Sequence, residues 1–224
     1  VGDPHLGRKF RTGVPVHRIG DREKHVWQDF QLQLSKEAEM HINMGDLFDK
    51  FVVSPEVELL AADCYLEAAA AQPECRFYIL QGNHDAAKDA SKRSSFDVFT
   101  RLVAGAANIW VVNSTLVIDD QAIAFVPYDP FIPVIDQIEA LPDNLERLYM
   151  HHDYTDFGGE HVIPTELLAS KGILNVTNGH DHIKRTVKRH GVTIDITGSM
   201  QPYTHAEDPD NLWYQTLTST CASF

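Results

Sequence analysis

Cysteine is scarce in this chain: Cys64, Cys75 and Cys221 are odd in number and lack metal-site spacing, so no disulfide framework and no thiolate metal site is expected. They read as reduced thiols of a cytosolic protein. Positive charge is also in deficit, with 19 Lys and Arg against 32 Asp and Glu for a net −13. That balance argues against a broad nonspecific phosphate-binding surface, because such surfaces need Lys and Arg to replace released counterions. It leaves room for a local basic strip or for bound divalent ions. No apolar run approaches the roughly 18 residues of a membrane span, and the start has neither the basic nor the apolar region of a signal peptide. A soluble, cytoplasmic protein with no membrane partner is expected. Internal repeats, low-complexity segments and linkers are missing too.

What is abundant is histidine, twelve in 224 residues, within a chain that is 43% apolar. That length and composition suit one domain over residues 1–224 with a substantial core. The pattern predicts a helix near 21–35, a strand at "MHINM", and a helix opened by Ser54 and Pro55 that stops before Pro73. A strand at "CRFYIL" follows, then a helix over "SKRSSFDVFTRLVAGA", and two or more strands in "WVVNSTLVIDDQAIAFVPY" with a turn at Asp119 and Asp120. A short helix near 133–140, the strand "RLYM", a helix at "PTELLASKG", the strand "ILNVT" and a hairpin turning at His190 and Gly191 complete the order. Alternating strands and helices with a β-rich end indicate an α/β layered fold.

One arrangement recurs: an apolar strand ends and, within a residue or two, Asp, Asn or His follows, in most cases beside a Gly. The five instances are "VGDPH", "MGDLFD", "QGNHD", "MHHD" and "NGHDH". Loops at the carboxyl ends of strands in such folds converge on one crevice, so these turns are expected to meet. Carboxylate, imidazole and amide oxygen together suit borderline divalent ions. Asp3, His5, Asp46, Asn83, His151, His180 and His182 make seven candidate ligands, too many for one ion and suited to two that share a carboxylate. His152 competes with His151 for its role. His17, His25, His41, His161, His190 and His205 lack this context and read as surface or packing residues.

In order, "DPH", "GDLFD", "GNHD", a strand-terminal His and "GHDH" resemble the motif set of the calcineurin-like metallophosphoesterases. The resemblance spans residues 1 to about 200. It implies a four-layer αββα sandwich, two mixed sheets flanked by helices, with a dimetal site at the strand ends. By that resemblance Asp3, His5 and His182 hold one ion, Asn83, His151 and His180 the other, and Asp46 bridges them. His84 faces the scissile phosphate and protonates the leaving oxygen or stabilises its charge, while Asp85 orients it. Asp49 supports the site without binding metal. The implied cofactors are two divalent ions, Mn²⁺ foremost, with Fe²⁺, Zn²⁺ or Mg²⁺ also compatible, and the implied attack is by hydroxide held between them.

The flanks bear on substrate. "DPHLGRKF", "GDLFD" followed by Ser-Pro, and "TGSMQPYTHAED" are similar to the SbcD-type DNA repair exonucleases and their bacteriophage relatives. That similarity implies DNA as substrate, an SMC-like ATPase of the SbcC type as partner of a full-length parent, and a bacterial or phage-infected cytoplasm. A homodimer is a further partner considered. Arg8, Lys9 and Arg11 follow the first turn, Lys88, Lys92 and Arg93 the third, and Lys184, Arg185, Lys188 and Arg189 the last, so convergent turns would ring the site with positive charge. A solvated-loop role is the plain alternative for each cluster. The alternative functions are a phosphatase or cyclic nucleotide phosphodiesterase on the same scaffold, or a noncatalytic binding subunit. Val1 reads as the end of a first strand that is mostly absent, and the chain as a fragment without a capping domain.

Overall fold

The computed structural model describes residues 1–12, 14–118, 120, 122–154 and 159–203. A 3-10 turn at Val16–Arg18 precedes helix α1, Asp21–Leu34. Strand β1 is Met40–Asn43, helix α2 Pro55–Ala71, strand β2 Arg76–Leu80 and helix α3 Ser95–Val103. Strands β3, Ile109–Val112, β4, Leu116–Ile118, and β5, Ile123–Val126, precede helix α4, Val134–Glu139, and strand β6, Arg147–Met150. Helix α5, Thr165–Ser170, leads to β7, Asn175–Asn178, and to the hairpin of β8, Arg185–Arg189, with β9, Val192–Ile196.

The strands form a parallel sheet ordered β1-β2-β3 and a mixed sheet ordered β4-β5-β6-β7-β9-β8. Period-two alternation explains how they stack. Phe77 and Ile79 of β2 face the helices α1 to α3, while Tyr78 and Leu80 face the other sheet. On the larger sheet Ala124, Val126, Leu148 and Met150 face α4 and α5, while Phe125 and Tyr149 turn toward the smaller sheet. The layers are therefore helix, sheet, sheet, helix. Four aromatic rings stitch the middle: Trp110, Tyr78, Phe125 and Tyr149 stack in series with centroids 5.2, 4.6 and 5.2 Å apart. Each such pair contributes about 0.5–1.5 kcal/mol beyond its buried area.

Helix boundaries follow local chemistry. In α1, Val26, Phe30, Gln33 and Leu34 lie buried at helical spacing on one face. Ser54 stands at the N-cap of α2 and Pro55 in its first turn, as the sequence predicts. α3 starts later than residue 91, because Ser94 and Asp97 form a reciprocal capping box that sets the first turn at Ser95. Three strands occupy 109–126, in keeping with the two or more expected, and the smaller sheet is parallel in both of its pairings. Asp119 of the expected turn, and His205, Glu207 and Cys221 beyond it, lie outside the described residues. Among the described residues no helix is long and apolar enough to cross a membrane.

Candidate metal centre

The parallel pairing of β1 with β2 and of β5, β6, β7 and β9 in turn sends their carboxyl ends to one edge. There β1 runs into Gly45-Asp46, β2 into Gly82-Asn83-His84, β6 into His151, and β7 into Gly179-His180 with His182 beyond. The first residues join them by pairing with the end of β1 and the segment after it. The Val1 amino group donates to the Ile42 carbonyl (2.6 Å), the Val1 carbonyl accepts from Met44 N–H (3.0 Å), and His5 and Leu6 N–H donate to the Asp46 and Leu47 carbonyls (3.0 and 2.8 Å).

Backbone strain concentrates at these turns. Six non-glycine residues have positive φ among those described, and three of them are His5 (45°), Asp46 (50°) and His180 (70°). A non-glycine residue held there costs on the order of 1–3 kcal/mol, which points to a constraint beyond packing. Close approach does the rest. A Cβ on Gly45 would lie 2.3 Å from His151 Nδ1, and one on Gly82 would lie 2.2 Å from Asp46 Oδ1. Only glycine lets these turns crowd together.

Three overlapping donor groups result, linked by His5 and Asp46: Asp3, His5 and His182 offer ligand atoms within 4.8 Å of one another, as do His5, Asp46 and His84, and Asp46, His151 and His180. His5 Nε2 stands 3.0 Å from His182 Nε2 and 3.7 Å from Asp46 Oδ2, while His151 Nε2 stands 3.4 Å from Asp46 Oδ1. Asn83 Oδ1 lies 3.1 Å from His151 Nε2 and 2.8 Å from His180 Nδ1. The structure thus brings together all seven residues singled out by the strand-end pattern.

The hydrogen bonds show what these atoms are turned toward. A carbonyl can only accept, so His151 Nδ1–H donates to the Met44 carbonyl (2.7 Å). Its Nε2 then faces Asn83 Oδ1 and Asp46 Oδ1. His180 Nε2 is 2.7 Å from Asp153 Oδ1; with that N–H given to the carboxylate, Nδ1 presents a lone pair to Asn83 Oδ1. Both Asp3 carboxylate oxygens and His5 Nδ1 are buried without a hydrogen-bond partner; the Asp3 and His180 amides influence Asp3 without closing one. Acceptors converging on acceptors in a buried space fit cations between them.

Electrostatics agree. Burial pushes the Asp3 carboxyl well above its ordinary range, against the pull of His151, and the Asp46 charge adds to the rise. Burial also opposes the Asp46 charge, yet His151, His5 and His84 outweigh it and hold Asp46 below the usual carboxylate range. For His151, burial is overcome by Asp46 and Asp3, which raise it to about 9. His5 is lowered to about 3, by burial first. The pocket favours a proton on His151 beside its carboxylates and resists one on the buried His5 and His180.

Several expectations change. Asp85 does not orient the His84 ring: it is buried under the turn, where its carboxylate accepts from Leu47, Phe48 and Gly82 N–H at 2.9–3.0 Å. The three amides that converge there hold it away from the ring. Burial and the Asp46 charge nevertheless push its carboxyl up, to about 7. The His84 ring is held instead by Asp49, whose carbonyl accepts from His84 Nδ1–H (2.6 Å), and the His84 amide donates to Asp46 Oδ1 (2.8 Å). His151 reaches the donor cluster, whereas His152 is buried behind it, its ring stacked on His161 (6.0 Å) and without a hydrogen bond at either nitrogen. Arg8 is engaged by Asp49 Oδ1 (3.2 Å) and lies over the Tyr203 ring, while Lys9 and Arg11 are exposed. Arg185 is paired with Asp181.

Three supporting residues were missed. Asp153, two positions after His151, orients His180. Asn178 pins the turn after β6 through bonds to the His152 N–H (3.1 Å) and carbonyl (2.8 Å). Tyr203 packs edge-on against His5 (5.1 Å) and donates its hydroxyl to the Pro4 carbonyl. The Asp in "MHHD" was the available signal for the first; the other two depend on long-range contacts with no local mark.

No family model matches the chain, and no curated protein sequence matches it. Among solved structures it is similar to phosphopantetheinyl hydrolase from Mycobacterium tuberculosis, over 93% of this chain and 95% of that one, with a TM-score of 0.49 and 14% sequence identity.

Proposed function

We propose that this chain is a metal-dependent phosphoester hydrolase that works with two divalent ions, Mn²⁺ foremost, and that its substrate is DNA. The observation that carries the hydrolase reading is the set of linked donor groups around Asp46, with both Asp3 oxygens and His5 Nδ1 buried without a hydrogen-bond partner and His180 Nδ1 turned toward Asn83 Oδ1. Asp3, His5 and His182 would hold one ion, Asn83, His151 and His180 the other, and Asp46 both. When bound, such ions supply Lewis-acid polarisation of phosphoryl oxygens and lower the pKa of water.

The chain's own residues supply the rest. His84 Nδ1–H is committed to the Asp49 carbonyl, which fixes the ring's orientation and leaves Nε2 for the substrate. In its protonated form the ring donates from Nε2 to the departing sugar oxygen. Asp85 keeps the 45–48 and 82–85 turns in register through its three amide bonds, so it positions Asp46 and His84 without touching substrate. Asp153 and the Met44 carbonyl set the ring orientations of His180 and His151.

The DNA reading is supported by the resemblance of "DPHLGRKF" to SbcD-type nucleases and by the lysines that border His84. The test uses protein stripped by chelator and reloaded with Mn²⁺, assayed on labelled DNA and on bis-p-nitrophenyl phosphate. Cleavage of both, abolished by chelator and lowered about 10²- to 10⁴-fold in kcat by His84→Ala, is expected. Hydrolysis of the small diester alone would replace the nuclease with a small-substrate phosphodiesterase. Inertness toward every phosphoester would overturn the hydrolase.

A further inference from the structure

Two clefts open on either side of His84, and the same two side chains, His84 and Phe51, line both. The larger, about 760 Å³, carries Lys9 and Lys50; the smaller, about 390 Å³, carries Lys88 and Lys92 and reaches Asn83 of the donor cluster. Arg8 and Lys92 have acidic partners, Asp49 and Asp89, whereas Lys9, Lys50 and Lys88 make no ion pair among the described residues. Each arm therefore retains uncompensated positive charge on a chain whose net charge is −13.

Phe51 stands at the junction on a fixed backbone. Its carbonyl accepts from Ser95 N–H (2.9 Å), and Val53 N–H donates to Ser95 Oγ (2.9 Å), so the segment is tied at two points to the buried first residue of α3. The ring remains half-buried and lines both cavities. An aromatic platform between two cationic arms matches a strand that alternates flat bases with phosphates. A phosphomonoester would use one arm only.

We propose that these clefts form one groove for single-stranded polynucleotide, with Phe51 stacking on a base beside the scissile phosphate, Lys9 and Lys50 holding phosphates on one side, and Lys88 and Lys92 on the other. The placement of Phe51 beside the scissile phosphate rests on the hydrolase reading, whereas the groove itself does not. Duplex is disfavoured because its bases are already stacked and cannot reach Phe51.

The experiment measures binding of a short fluorescein-labelled oligothymidylate by anisotropy, in chelator, across a salt series. Phe51→Ala should weaken binding roughly 5- to 150-fold, the span of one base–aromatic stack, and Phe51→Tyr should restore it. Lys9→Ala with Lys50→Ala should reduce the salt slope by about 1.4, two single-strand phosphates' worth, and Lys88→Ala with Lys92→Ala by at least about 0.7, since Asp89 already pairs with Lys92. Unchanged binding by Phe51→Ala, a slope change from one arm alone, or equal affinity for duplex would overturn the groove. Mn²⁺-dependent hydrolysis of bis-p-nitrophenyl phosphate runs in parallel. Hydrolysis without oligonucleotide binding sinks the groove and spares the hydrolase, while binding without hydrolysis does the reverse.

Discussion

Asp3→Asn should make the metal-free protein more stable while removing its response to metal. Asp3 is fully buried and both its oxygens lack partners, so ionising it in the absence of a cation opposes folding. The amide keeps the shape and discards the charge. The part of the cost due to ionisation is about 1–3 kcal/mol for an unsatisfied buried group, and about 2–4 °C of Tm accompanies each kcal/mol in a chain of this size. A rise of about 2–12 °C is expected in chelator at neutral pH. The pH dependence has a definite sign. Burial raises the folded carboxyl above its unfolded value, so the native state holds the extra proton. The stability Asp3 contributes is complete below about pH 4 and is lost as pH climbs toward the raised folded value. Asp3→Asn lacks this loss, so its advantage over wild type should grow with pH through that window. Thermal denaturation from pH 5 to 8, with chelator and with Mn²⁺, is the assay. A variant less stable than wild type at every pH, or one that keeps the full Mn²⁺-induced Tm shift, would refute the reasoning.

Two further outcomes concern ligand identity and orientation. His151→Ala should lower bound metal, measured by elemental analysis after desalting, whereas His152→Ala should keep the metal and lose stability, since His152 is packed behind the site. Asp153→Asn should weaken Mn²⁺ affinity about 10- to 100-fold by calorimetry, because it loosens His180, with the fold retained by circular dichroism.

Much of the centre was legible because its donors sit where strands end. Asp46, Asn83, His84, His151 and His180 each follow an apolar strand within a few residues, and parallel pairing then carries them to one edge. Ser54-Pro55 and the Ser94-to-Asp97 capping box are likewise local chemistry written in adjacent residues. What was not legible depends on contacts across long separations. Asp85 sits beside His84 in sequence, yet three amides from two segments draw its carboxylate inward, and the task of holding the ring passes to the Asp49 carbonyl, 35 residues away. That Arg8 pairs with Asp49 and lies over the Tyr203 ring is likewise unmarked by its neighbours in the sequence. The stack of Trp110, Tyr78, Phe125 and Tyr149 draws on four strands and two sheets, and no local pattern announces it.

The most direct test of the proposed two-ion centre is native mass spectrometry of the stripped protein titrated with Mn²⁺, alongside Asp46→Asn. Asp46 lies 3.7 Å from His5 and 3.4 Å from His151, so it serves the donor groups of both. Two ions should bind per wild-type chain, and Asp46→Asn should weaken both together. Binding of a single ion by wild type, or two ions bound by Asp46→Asn with undiminished affinity, would contradict the account.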